Sequence, residues 1–594
     1  MTQLTTRWGE KIGTDNLHLE YPRPNLVRDS YFPLNGKWEY AINQSEEVEE
    51  YQGRILVPFS PETKLSSVEQ IVQPNDYLHY RKKFTLPEGF IYDRVILHFG
   101  AVDQECILWL NGNYIGEHIG GYLAFSFDIT EYLLEGENIL TLRVKDQTEK
   151  SPHARGKQKL VKKGKMSSLF YTPQSGIWKS VWLESVPEKY IEKVQITPLY
   201  DDGAVSIKVS ANASVGKVQL QVFDGGRFVT KTVGDVQKEQ IVPLKDFVSW
   251  SPENPHLYDL RILYGEDEVV SYFGMRKYSI ERDKKGILRF CLNNKPYFFN
   301  GVLDQGYWPE SLLTPPSDEA LEYDITQLKE YGYNTIRKHI KVESERFYYH
   351  CDRLGMIVWQ DMPNGGGDYN MFFVTYLPNA FNWFARGVKD HHYGAFKRKD
   401  EAGRAQYYKD LEGMVKQLYN HPSIAAWIPF NEGWGQFDAK KATECIRRLD
   451  NTRFINEACG WFDQKGGDMY SIHNYLRKLK VRPKKDRVVA LTEYGGYAYP
   501  VKDHMACEKE FGYKHYRSKA ELTNSYAMLM REEIYPNFRN GLSAAIYTQT
   551  SDIEEEINGI MTYDREEEKL LKDEVHSLNE YLYLHFDEVV NGEK

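Results

Sequence analysis

From residue 283 onward the chain repeats one pattern eight times: a short apolar run, a polar residue where the run stops, then a stretch with helical periodicity. The runs lie at 297–302, 334–339, 356–361, 424–431, 453–457, 469–473, 488–493 and 544–549. Between them, 317–331, 344–354, 404–419 and 438–449 read as helices, with Ser317 and Asp438 as N-terminal caps. Apolar strands too short for helices, each followed by a helix, are buried on both faces in a parallel sheet. Eight such units in about 310 residues predict a (β/α)8 TIM barrel.

Ahead of residue 283 the texture is β. Alternating runs at 95–99, 106–110 and 139–144 are broken by Asn111-Gly112, Gly120-Gly121 and Glu135-Gly136, which predicts a β-sandwich over 1–187. Clean alternation at 205–210 and 218–222 predicts a second, immunoglobulin-like β-sandwich over 188–282, leaving 283–594 to the barrel. A length of 594 residues exceeds one hydrophobic core and leads to an expectation of roughly three or four domains, of which three are read here. A net charge of −10 with mixed signs excludes a typical nucleic-acid binder. The Lys and Arg cluster between 150 and 168 lacks interleaved aromatics and reads as a solvated loop. Cys106, Cys291, Cys351, Cys445, Cys459 and Cys507 are too scattered for a metal site or a disulfide framework. No signal-peptide core and no membrane-length run occurs, so a cytoplasmic protein without a membrane partner is expected.

The C-terminal ends of barrel strands converge on one mouth, where chemistry occurs in this architecture. Here the runs end at Asp304, His339, Asp361, Glu432, Glu457, His473 with Tyr475, Glu493 and Gln549. Two ends share one logic: Trp427-Ile-Pro-Phe-Asn-Glu-Gly-Trp-Gly435 and Val488-Val-Ala-Leu-Thr-Glu-Tyr-Gly-Gly496 each run apolar, then Glu, then glycine. Placed on the fourth and seventh strands, Glu432 and Glu493 face each other across about one sugar ring. Carboxyls about 5–5.5 Å apart hydrolyse a glycoside with retention, one attacking the anomeric carbon and the other protonating the leaving oxygen. Burial raises a carboxyl pKa and lets one of the pair keep its proton. Asn431 is placed to bond a sugar 2-hydroxyl, and Tyr475 to hold the nucleophile ionised. His391-His392 lies in a polar loop without zinc-site spacing, and Gly365-Gly-Gly367 lacks the context of a phosphate loop. The stretch 364–404, with Phe372, Phe373, Tyr376, Phe381, Trp383 and Phe384, reads either as a lid on the leaving-group side or as a satellite core.

Several motifs together resemble glycoside hydrolase family 2, the group of bacterial β-galactosidases and β-glucuronidases. They are Tyr21-Pro-Arg-Pro-Asn-Leu-Val-Arg28, Trp109-Leu-Asn-Gly112, Ser175-Gly-Ile-Trp178, Phe273-Gly-Met-Arg276, Asn431-Glu432, Thr492-Glu493-Tyr-Gly-Gly496 and Tyr547-Thr-Gln-Thr-Ser-Asp552. The resemblance implies an N-terminal jelly-roll sugar-binding domain, with Glu432 as acid/base and Glu493 as nucleophile. Asp304, His339, Asp361, Asn431, His473, Tyr475, Tyr547 and Gln549 then line the substrate. It implies no required cofactor, though some relatives bind Mg²⁺ or Na⁺, and it is compatible with a homo-oligomer. The second strand reads Ile336-Arg-Lys-His339 where the family has Arg-x-Ser-His, and the Asn-x-Lys carboxylate clamp of β-glucuronidases is not found after the seventh strand. A sugar carboxylate wants a fixed cation. The expectation is therefore an exo-acting retaining β-glycosidase for a terminal neutral sugar, most simply a β-galactoside. The alternatives are an α-L-arabinopyranoside, a β-glucuronide, or a non-catalytic carbohydrate-binding protein on the same scaffold.

Overall fold

The computed structural model describes residues 4–13, 17–160 and 169–592, apart from the side chains of Asn379, Asn382 and Trp383. The second half of the basic cluster (161–168) and the Trp383 ring therefore lie outside the described residues.

Alternation decides the first sandwich. Along Glu137–Lys145 the residues Leu140, Leu142 and Val144 are buried, while Thr141, Arg143 and Lys145 are partly exposed. This strand lies inside a six-stranded antiparallel sheet packed on a four-stranded one through Leu97, Phe99, Leu108, Leu140, Leu142 and Leu183. Asn111 and Gly112 sit at φ 52° and 81°, as a two-residue hairpin between Glu105–Leu110 and Asn113–Ile119 requires. In the second sandwich, a three-stranded and a four-stranded sheet bury Val205, Ile207 and Val209 against Val218, Leu220 and Val222.

Eight parallel strands follow: β1 (Phe299–Asp304), β2 (Thr335–Lys338), β3 (Ile357–Asp361), β4 (Ile424–Ile428), β5 (Phe454–Ile455), β6 (Met469–Asn474), β7 (Val488–Gly495) and β8 (Leu542–Thr548). Their order in the sheet is β5-β4-β3-β2-β1-β8-β7-β6. The two ends of the sheet meet where the Ile455 carbonyl accepts from Asp468 N–H (2.8 Å) and the Ile455 N–H donates to the Asp468 carboxylate (2.7 Å). All eight strands fall on the runs read from the sequence. A hairpin (Tyr278–Arg282 with Leu288–Leu292) plugs the opposite end, packing Phe290 and Leu292 against Phe299, Trp359, Phe454 and Ile546. An apolar plug at the strand N-termini leaves only the C-terminal mouth for chemistry.

The caps behave unequally. The Ser317 hydroxyl accepts from Ala320 N–H at the start of helix Asp318–Glu330, as expected. Asp438 precedes helix Ala439–Leu449 but sits at φ 41°, its carboxylate turned to the Tyr393 hydroxyl (2.8 Å). Asp390 caps instead, accepting from Ala439 N–H at 2.8 Å. The basic segment also departs from expectation: Arg155 and Lys157 are buried, 1% and 7% exposed, because 152–159 lies against the barrel rather than in solvent. The aromatic stretch is partly a satellite core, with Tyr369, Val374 and Phe396 packed around Trp434, Trp461 and Phe462.

Candidate active site

Glu432 hangs from the turn after β4. Its backbone takes the left-handed φ of 50°, uncommon for a side chain of this size and worth about 1–3 kcal/mol of strain. The strain is held by its N–H, which donates to the Cys459 carbonyl at 2.9 Å, so the carboxyl is aimed rather than free. Glu493 projects from β7 on the barrel-facing side, while its neighbour Tyr494 turns outward to the core residues Tyr547 and Met530. Between the carboxyls stands His473 of β6. Its Nδ1 is 2.7 Å from Glu432 Oε1 and 3.4 Å from Glu493 Oε2. One atom from each of the three residues lies within 4.8 Å of the other two. That spacing fits a pair acting on opposite faces of one anomeric carbon with no room for an intervening water.

The two carboxyls are electrically unlike. Burial raises Glu432, and the Glu493 charge raises it further, against the opposing pull of His473. Burial works the same way on Glu493, but His473 and Arg337 override it and take its pKa down to about 2. His473 is disfavoured as a cation by burial, yet the Glu493 charge and the hydrogen bond to Glu432 help carry it up to about 10. The proton affinities of the two carboxyls are thus pushed apart, Glu432 upward and Glu493 downward, as an acid and a nucleophile require. Glu432, His473 and Glu493 are also the group of three acid or imidazole donors that could share a metal ion among the described residues. Glu493 and the hydrogen bond to Glu432 favour the cationic form of His473, and metal ligation would require its deprotonation.

Arg337 of β2 organises the floor. Fully buried, it donates from Nε and Nη2 to both oxygens of Asp361 (3.0 and 2.8 Å), from Nη1 to Glu493 Oε1 (3.0 Å), and from Nη2 to Asn431 Oδ1 (2.8 Å). His339 Nδ1 meets Asp361 Oδ2 at 2.9 Å. The Tyr475 hydroxyl donates to Glu493 Oε2 at 2.5 Å and lies 3.1 Å from Thr548 Oγ1, its ring stacked on Tyr513 at 3.9 Å. Asn431 keeps its Nδ2 without a hydrogen-bond partner among the described residues. His339, Asp361, Asn431, His473 and Tyr475 are therefore gathered around the glutamate pair.

Three expected residues are placed elsewhere. Asp304 turns outward, its Oδ2 on Lys338 (2.5 Å) and Oδ1 accepting from Gly306 N–H (3.0 Å); Lys338 lies over the Phe347 ring of the surrounding helices. Tyr547 lies in the outer core among Tyr494, Tyr497 and Tyr526, because strand alternation turns Thr548, not Tyr547, inward. Gln549 spends both ends of its amide on Gln305 (2.6 Å) and Asn558 (2.7 Å). Sequence reasoning missed Arg337, whose only signal is a charge inside an apolar run. It also missed Tyr513, which carries no local signal at all.

Three family models match the chain: glycosyl hydrolases family 2, sugar binding domain, over residues 63–187; glycosyl hydrolases family 2 over 189–276; and glycosyl hydrolases family 2, TIM barrel domain, over 284–572. The chain is 26% identical over 450 residues to a β-galactosidase of Thermoanaerobacter pseudethanolicus, covering 72% of this chain and 54% of that protein. It is 23% identical over 445 residues to a β-glucuronidase of Streptococcus agalactiae serotype V, covering 69% and 68%. The chain spans about half the length of the first of these curated relatives. Its fold is that of Ruminococcus gnavus β-glucuronidase, with a TM-score of 0.74 at 17% identity over 95% of this chain and 99% of that one. No helix among the described residues is long and apolar enough to cross a membrane.

Proposed function

This chain belongs to glycoside hydrolase family 2, and from that membership and the geometry of the mouth we propose that it is a retaining, exo-acting β-glycosidase. The observation that carries the reading is the close pair of unlike carboxyls, within 4.8 Å through His473. In this reading Glu493, ionised by Arg337 and His473, attacks the anomeric carbon and forms a glycosyl-enzyme. Glu432 gives its proton to the departing oxygen, then takes one from the water that releases the sugar. Asn431 offers its free Nδ2 to the 2-hydroxyl, and His339 and Tyr475 position the ring and the nucleophile. The units divide at 187/188 and 282/283.

For the sugar, a galactose-configured pyranoside is the leading reading, supported by the similarity to a β-galactosidase. The similarity to a β-glucuronidase keeps a uronic acid as the second. The test is trapping: a 2-deoxy-2-fluoro-β-galactosyl dinitrophenyl ether should leave a covalent adduct whose mass maps to the peptide holding Glu493. Glu493→Gln should neither turn over aryl glycosides nor take the label. A fully active Glu493→Gln enzyme ends the reading.

A further inference from the structure

On the barrel floor and around β1 and β2, buried charges are matched. Arg337 is spent on Asp361 and Glu493, and Lys338 and Lys341 on Asp304 and Glu343. On the Trp434 wall, Arg398 of the barrel reaches only carbonyls, those of Gly435 (2.8 Å) and Pro152 (3.1 Å), and further unmatched charge arrives from outside the barrel. Segment 152–159 leaves the first sandwich and docks on the loop after β3: Arg155 and Gly156 N–H both donate to the Asn364 carbonyl (2.8 and 3.0 Å), and Gly366 N–H donates to the Pro152 carbonyl (3.1 Å). This seats Lys157 Nζ 4.8 Å from the centre of the Trp434 ring, two residues past Glu432, and 5.7 Å from that of Tyr171.

Lys157 is 7% exposed, and among the described residues no carboxylate pairs with it. The basic stretch 150–168 itself contains seven Lys and Arg and no Asp or Glu. Aromatic faces offset only part of the cost of taking an ammonium out of water. Beside it Arg155, 1% exposed, donates through Nη1 to Gln158 O but leaves Nε and Nη2 buried without a partner among the described residues. Its guanidinium lies over Tyr369 (4.8 Å) and Phe170 (5.5 Å), the rings that flank Trp434. The Trp434 Nε1 and the Asn364 amide are likewise unpartnered. Cationic and indole N–H donors without acceptors among the described residues, gathered on one wall of a mouth, describe a ligand that brings the negative charge with it. The Lys157 charge is also felt at both Glu432 and His339, the residues around the glutamate pair.

We infer that Lys157, with Arg155 behind it, seats an anionic substituent of the bound glycone, a carboxylate or a sulfate ester, read from the jelly-roll domain and not from a barrel strand. The inference rests on the glycosidase reading and narrows its substrate: the fixed cation that a charged sugar needs is present, though it is not on the seventh-strand loop.

The full chain should be assayed on nitrophenyl β-galactoside, β-galacturonide, β-glucuronide and a sulfated β-galactoside, which separate the two anion chemistries. At least one anionic substrate should exceed the neutral galactoside in kcat/KM by about tenfold or more, mainly through KM. Lys157→Met should erase that ratio by raising KM for the anionic substrate, and Lys157→Arg should restore part of it, with thermal melting checking that each variant folds. A neutral galactoside as the best substrate, or a Lys157→Met enzyme whose anionic-to-neutral ratio is unchanged, overturns the inference while leaving the hydrolase intact. Calorimetry with free galacturonate and galactose separates the remaining cases. Anion-selective binding with no turnover on any glycoside keeps the subsite and sinks the enzyme, and neither binding nor turnover sinks both.

Discussion

Replacing Glu432 by alanine should separate the two halves of the reaction, and the structure sets the size of the effect. General acid catalysis contributes about 10²–10⁴ in rate, which is about 2.7–5.4 kcal/mol of barrier at 1.36 kcal/mol per decade. That penalty should fall only where the leaving oxygen needs a proton. A methyl glycoside should lose all of it, whereas a dinitrophenyl glycoside should form its glycosyl-enzyme almost normally and then stall, with no base to activate water. The vacated space is within 4.8 Å of Glu493 and beside the His473 Nδ1 that Glu432 had engaged at 2.7 Å. His473 keeps Glu493 at 3.4 Å as a counter-charge, so the ring stays cationic and the space attracts a small anion. Azide should enter it, attack from the face Glu432 occupied, and restore turnover on the dinitrophenyl glycoside. The product should be the β-glycosyl azide, identified by the anomeric proton coupling. A uniform loss across leaving groups without azide rescue, or an α-azide product, would refute the claim that these carboxyls face each other across one anomeric carbon.

His473 lowers the pKa of both glutamates. His473→Gln should therefore move both limbs of the kcat/KM profile to higher pH, the acid limb set by ionised Glu493 and the alkaline limb by protonated Glu432; an acid limb moving down contradicts this. Glu493 falls to about 2 from an ordinary 4.5, so it contributes stability that is complete above 4.5 and lost as pH drops toward 2; Glu493→Gln should flatten the urea-unfolding stability across that window. Arg337→Met strips a fully buried cation from Asp361 and Glu493, and chemical denaturation should register a loss of about 3–5 kcal/mol; a loss under about 1 kcal/mol would mean those carboxyls are neutral or hydrated. Tyr547→Phe touches only the outer core, so kcat and KM should stay within about twofold, and a large KM increase would place Tyr547 at the sugar after all.

The barrel was legible because its constraint is periodic. A strand covered on both faces must be apolar along its length, and a helix must follow it, so the eight runs stand out without help from distant residues. The glutamate pair was legible for the same reason, each acid marking the point where an apolar run reaches water. What strand ends do not reveal is phase. A polar residue at the end of β1 or β8 reads alike whether it faces the axis or the helices, and Asp304 and Tyr547 both turned outward, to Lys338 and to the tyrosine-rich outer core. Arg337 escaped because it sits before its run ends, where a charge reads as noise until Asp361 and Glu493 are seen to close on it.

Lys157 marks a different limit. Nothing in residues 150–168 fixes its direction. The docking bonds that bury it run to Asn364 and Gly366, more than 200 residues away, and an isolated basic stretch has every reason to be solvated. Glu432 and Glu493 are set by strand order within the barrel, whereas Lys157 and Arg155 are delivered by a loop of the neighbouring sandwich. In the proposed reading, chemistry and recognition of the sugar's charge therefore sit on different domains. An exchange of 152–159 for a neutral loop that keeps the Asn364 contacts should change which glycoside is preferred without moving the Glu432–Glu493 spacing, and a crystal structure together with the same substrate panel reads both. If the loop exchange instead displaced His473 or Glu432, the two functions would not be separable, and the cations would have to be counted as part of the catalytic floor.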